Sequence, residues 1–90
     1  MFARIRARGI RPITIGRKLV EAMDQHVDEH FNVPGAYVVR LHPTDFAQLE
    51  NVRKPLVSEL RQVVANHAAY EEYRVVGESS VGLVEADHVT

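Results

Sequence analysis

The stretch "VPGAYVVRLHPTDFAQL", residues 33–49, decides the fold because it carries two different periodicities on the two sides of one proline. Before Pro43, the residues Tyr37, Val38, Val39 and Leu41 are the aromatic and branched types that suit an extended strand, and Pro34 with Gly35 reads as the break ahead of it. Three of those four are consecutive, which predicts a strand covered at least partly on both faces. After Pro43, Thr44 or Asp45 can accept hydrogen bonds from the free N–H groups of a first helical turn, while Phe46 and Leu49 share a helix face at i, i+3. A strand that passes directly into a helix sets a mixed architecture.

Working toward the N-terminus, Pro12 suits the first position of a helix, where its missing N–H costs no hydrogen bond. Ile15, Leu19, Ala22 and Met23 then recur at helical spacing, so a helix is expected from residue 12 to somewhere between 24 and 30. Gly16 weakens its first turns by roughly 0.5–1 kcal/mol relative to alanine. Toward the C-terminus, Pro55 restarts the path, and Leu56, Leu60, Val63, Val64 and His67 or Ala68 mark a longer amphipathic helix to about Tyr70. The final segment, "YRVVGESSVGLVEADHVT", reads as two short strands or one irregular strand with a turn near Gly77 to Ser80. The expected fold is α+β: a small two-layer domain spanning residues 1–90, with helices packed on one face of a sheet of few strands and residues 1–11 as a basic arm.

Composition narrows the chemistry. With 46% hydrophobic and 26% charged residues, the 90-residue chain has the balance of a folded domain, though a small one with little room for a deep pocket. No cysteine is present, which excludes disulfides, thiolate metal ligands and a cysteine nucleophile. No run approaches about 20 apolar residues and no signal-peptide pattern follows the start, so a cytoplasmic location is expected, with any recruitment to a membrane left to partners. The net charge of −1 conceals an asymmetry, because six of the eleven Lys and Arg residues precede Glu21, the first acidic residue. Arg4, Arg6, Arg8 and Arg11 form the interaction-arm candidate, suited to phosphate or to an acidic surface.

No catalytic constellation is legible. There is no G-x-x-x-x-G-K-[ST] phosphate loop, and "GESSVG" is neither a nucleophile elbow nor the G-x-x-G clamp of a KH domain. The one motif with a metal reading is "HVDEH", residues 26–30, which fits H-x-x-E-H. On an extended helix His26 and His30 would lie on the apolar stripe with Ile15, Leu19 and Met23, an awkward placement for two imidazoles. The helix is therefore expected to end or turn near Asp24 to Asp28, leaving the motif as a connector. A zinc hydrolase built on His26, Glu29 and His30, with a third ligand from His42, His67, His88 or one of many carboxylates, none of which the spacing singles out, stands as the weaker alternative.

Three stretches in order, "RGIRPITIGRKLVEAMD" (8–24), "VPGAYVVRLHPTDFAQL" (33–49) and "YEEYRVVG" (70–77), resemble the N-terminal domain of actinobacterial forkhead-associated proteins of the FhaA type. Pro12, Leu19, Met23, Val33, Pro34, Tyr37, Leu41, Asp45, Phe46 and Tyr73 match that pattern, in structural roles. The resemblance implies a non-catalytic protein-interaction module without a cofactor, joined in its family by a flexible linker to a phosphothreonine-binding domain and acting in Ser/Thr-kinase signalling around cell-wall synthesis and division. Gly35 stands where the family usually has asparagine, which is expected to keep a turn, and "GESSVGLVE" departs from a more regular final strand, which is expected to be loose or bulged. The sequence stops near Thr90, before the family's usual final strand, so an open sheet edge is expected, and with it a homodimer or strand-swapped oligomer. A small nucleic-acid-binding domain using the arginine cluster is the main alternative.

Overall fold

A computed structural model describes residues 2–7 and 11–86. The elements follow in the order β1 (Phe2–Ala7), α1 (Pro12–His26), β2 (Asn32–Leu41), α2 (Pro43–Leu49), a 3₁₀ turn (Glu50–Val52), α3 (Arg53–Glu71) and β3 (Arg74–Glu85). The three strands form one sheet in the order β1-β2-β3, parallel throughout. Each step along the sheet is a crossover through a helix, and both steps move in the same direction. Two crossovers of one hand then leave their helices on the same side, which is the two-layer α+β arrangement expected.

Burial confirms which face is covered. Along β2, Tyr37, Val39 and Leu41 are buried while Ala36, Val38 and Arg40 alternate with them at half-burial. The buried set meets Ile15, Leu19 and Met23 of α1 and Leu56, Leu60, Val64 and Ala68 of α3, with Val81 and Leu83 of β3. The helices lie on one side and bury it fully, while Val38 belongs to the other face, which is covered only in part, as the three consecutive apolar residues of β2 predict.

The first correction concerns the basic arm. Residues 2–7 are a strand that pairs with Ala36–Leu41, from Phe2 opposite Ala36 to Ala7 opposite Leu41. The alternating "FARIRA" is a period-2 pattern, and the arginine-rich composition obscures it. Arg4 and Arg6 thus sit at register positions beside Val38 and Arg40 in an edge strand, Arg11 directly precedes α1, and Arg8 lies outside the described residues.

A second correction concerns Pro34 and Gly35, which lie inside β2 rather than ahead of it. Pro34 is accommodated because, among the described residues, β1 pairs from Ala36 onward, and because the β2–β3 register breaks at this point. Pro34 pairs with Val76 but Ala36 with Ser80, so β3 bulges by two residues through Gly77, which has φ 81°. Gly35 is not a turn residue of positive φ. A Cβ there would come within 2.8 Å of the carbonyl oxygens of both Val76 and Glu78, so glycine is needed for the close approach of the bulge. The final segment is accordingly one long bulged strand.

Helix starts differ in one detail from expectation. α2 is capped by His42, whose Nδ1 accepts the N–H of Thr44 at 3.2 Å, with Pro43 in the first helical turn. Pro55 falls in the first turn of α3, where its missing donor has no intrahelical partner to lose.

Candidate interaction surface

α1 and α3 lie side by side on the sheet and run in the same direction, since each returns the chain to the start of a parallel strand. Their contacts run in parallel: Gly16 faces Leu60 and Val63 near the helix starts, and Asp24 meets His67 near the ends. The two ends of this pair differ in character.

At the starts of the helices the seam opens into a groove of about 500 Å³, lined by Ile13, Gly16, Val20, Leu56, Leu60 and Val63, with Pro12 at its end and Arg17 and Glu59 on its two rims. Gly16 forms part of the floor, and a methyl placed on it would meet Val63 and Leu60 at 3.8–4.0 Å. Ile13 is 70% exposed, an uncommon state for a branched apolar side chain on a helix otherwise directed at the core. Arg11, which directly precedes α1, and Lys54, in the first turn of α3, are both exposed at this end. Neither helix has an acidic residue in its first turn or a side-chain cap. The positive ends of the two helix dipoles are thus reinforced by cations rather than compensated. Among the described residues no carboxylate lies within ion-pairing distance of Arg11, Arg17 or Lys54.

At the other end the seam is closed by a polar clasp. Asp24 Oδ1 accepts two hydrogen bonds, from His67 Nε2 at 2.8 Å and from the Tyr73 hydroxyl at 2.7 Å. The His67 and Tyr73 rings meet edge to face at 5.8 Å. Tyr73 is delivered by the helix terminus: Glu72 adopts φ 61°, its N–H bonds to Ala69 O, and the Tyr73 N–H bonds to Ala68 O at 2.8 Å. That 6→1 and 5→2 pair is the Schellman arrangement, which reverses the chain against its own last turn. The hydrogen bond from His67, then that from Tyr73, holds the Asp24 carboxyl below the usual carboxylate range. The same carboxylate pushes the Tyr73 phenol up to about 12. The three groups satisfy one another and join α1, α3 and the approach to β3. Sequence reading placed Tyr73 in the family pattern and His67 on the helix stripe, but gave no signal that Asp24, 43 residues before His67, would meet both.

"HVDEH" spans the end of α1 and a turn. His26 is the last residue of the helix and donates from Nδ1 to Ala22 O at 2.8 Å. Val27 is extended, and Asp28 accepts the N–H groups of His30 and Asn32 at 2.8 and 2.9 Å, with Phe31 at φ 63°. Hydrogen bonds from the Asn32 backbone, then from His30 and the Asn32 side chain, lower the Asp28 carboxyl. His30 is 75% exposed beside Glu29. The helix ends between the two histidines, so they do not share the helical face that the metal motif uses. No three metal-ligating side chains cluster among the described residues, and His88 lies outside them.

Fold and surface define a class: a small α+β domain whose Asp24, His67 and Tyr73 satisfy one another and whose open features include an apolar groove and the outer edge of β3. The family model for the N-terminal domain of FhaA matches residues 1–90, and the chain belongs to that family. No curated protein and no solved structure matches it. No helix among the described residues is long and apolar enough to cross a membrane.

Proposed function

We propose that this chain is the protein-interaction part of a forkhead-associated adaptor in Ser/Thr-kinase signalling linked to cell-wall synthesis and division, working in the cytoplasm and without catalysis. Membership of the FhaA N-terminal family carries this reading. The internal use of Asp24, His67 and Tyr73 supports it, because a cluster that satisfies its own hydrogen bonds leaves no activated group for substrate. The test is a two-hybrid survey of the chain against the Ser/Thr kinases and the cell-wall and division proteins of its own organism, confirmed with purified pairs by calorimetry. Saturable binding to one of them is expected, and binding to none of them sinks the reading.

Self-association is a second element of the proposal. Among the described residues β3 pairs only with β2, and its exposed Val75, Val76 and Val84 border an unpaired row of backbone groups. A homodimer or strand-swapped oligomer through this edge predicts a mass above the 10.2 kDa of one chain in light scattering. A single-chain mass across a wide concentration range removes it.

A further inference from the structure

The groove between α1 and α3 combines an apolar floor with cations at one end, and the two together specify an occupant. From Ile13 to Val20 it follows two turns of α1, about 10 Å at 1.5 Å per residue. That length matches the i, i+3/i+4, i+7 anchors by which an amphipathic helix lies in a hydrophobic groove. Arg17 on the rim has no carboxylate partner among the described residues, and neither has Arg11, which directly precedes the lining residue Pro12, or Lys54, two residues before the lining residue Leu56. The apolar floor and the Glu59 rim disfavour a nucleic acid, whose phosphates would find no base-stacking surface there. A second copy of the chain would bring the same unpaired cations to the contact.

We propose that this groove docks an acidic amphipathic segment of a partner protein, with apolar side chains on Gly16, Val20, Leu60 and Val63 and carboxylates toward Arg11, Arg17 and Lys54. The proposal deepens the interaction reading above and rests on it. It is independent of the β3 edge, which lies on a different layer. Gly16 keeps the floor low, Ile13 supplies a ready apolar contact, and the clasp at Asp24 holds the helices together so that the groove exists before binding.

The experiment selects from a displayed pool of peptides about 14 residues long, with leucines at helical spacing and all other positions varied in charge. The bait is the full 90-residue chain. Selected peptides are then measured by fluorescence polarisation against the wild type, Ile13→Ser and Arg17→Glu, two exposed positions whose change leaves the core intact. Acidic sequences are expected to enrich, to bind wild type saturably, and to lose at least tenfold in affinity with either variant; salt should weaken them. Enrichment of neutral or basic peptides, enrichment of none, or affinity unchanged in both variants overturns the proposal. So does a dimer in sedimentation that Ile13→Ser dissociates, or binding to phosphatidylglycerol vesicles that the peptides cannot displace. A protein partner from the two-hybrid survey that binds both variants as well as wild type removes the groove proposal while the interaction reading stands.

Discussion

The two ends of the α1–α3 seam were built by different means from similar material. Both sit on the same sheet and share the same stripe of core residues, yet one is closed by hydrogen bonds among Asp24, His67 and Tyr73 and the other is left as an apolar groove rimmed by charge. The closed end also contains a close approach of backbones, where Gly35 of β2 meets the β3 bulge and leaves no room for a Cβ. Such a contrast teaches where the molecule spends contacts on stability and where it leaves surface for something else.

The largest effect is expected in the packing that both ends share. Leu19 is fully buried between the layers, and Leu19→Ala is expected to cost about 2–5 kcal/mol in urea unfolding. A loss under about 1 kcal/mol would mean that the seam is not packed as described. The two glycines sharpen the contrast. Gly35→Ala at the closed end pushes a methyl against carbonyl oxygens at 2.8 Å and should cost about 1–3 kcal/mol. Gly16→Ala at the open end meets only ordinary contacts, so it should stabilise by about 0.5–1 kcal/mol through helix propensity. Equal effects at the two positions would erase the distinction.

Smaller effects come from titration at the closed end. Asp24 is depressed below its unfolded value of 3.8, so its contribution is present above pH 3.8 and is lost as pH falls through the folded value. Since the carboxylate is about half exposed, Asp24→Asn should cost no more than about 1 kcal/mol at neutral pH and should flatten the acid limb of a stability–pH curve. At the other extreme, Tyr73 is raised from 10.0 to about 12 by the Asp24 carboxylate, and Tyr37 is raised to about 12 by burial. Their contribution is complete below pH 10 and is lost as pH climbs through about 12, because the unfolded chain releases these protons first. Tyr37 also buries a hydroxyl without a hydrogen-bond partner among the described residues. Tyr37→Phe should therefore be neutral or mildly stabilising in thermal unfolding and should narrow the alkaline loss, whereas Tyr73→Phe should leave Tyr37's share of it.

Much of the helical layer was legible because helix stripes are local. The spacing of Ile15, Leu19 and Met23, and of Leu56, Leu60 and Val64, identified the residues that the structure buries. The end of α1 was also legible, since two imidazoles on the core stripe conflict with burial, and the helix does stop at His26. Short strands carried weaker signals. β1 was hidden by its arginines, and the Pro34–Gly35 pair, usually punctuation, lay within β2 because a bulge in a strand some 40 residues later makes room for it.

The order of elements from α1 onward, the two-layer α+β class and the family resemblance were determined by the sequence itself, through local periodicity and the order of its matching stretches. The parallel pairing of β1 with β2, the clasp of Asp24 with His67 and Tyr73, and the groove over Gly16 were decided only by tertiary structure. Each depends on residues that chain spacing separates and packing brings together, and a periodicity read along one segment contains no distance to another.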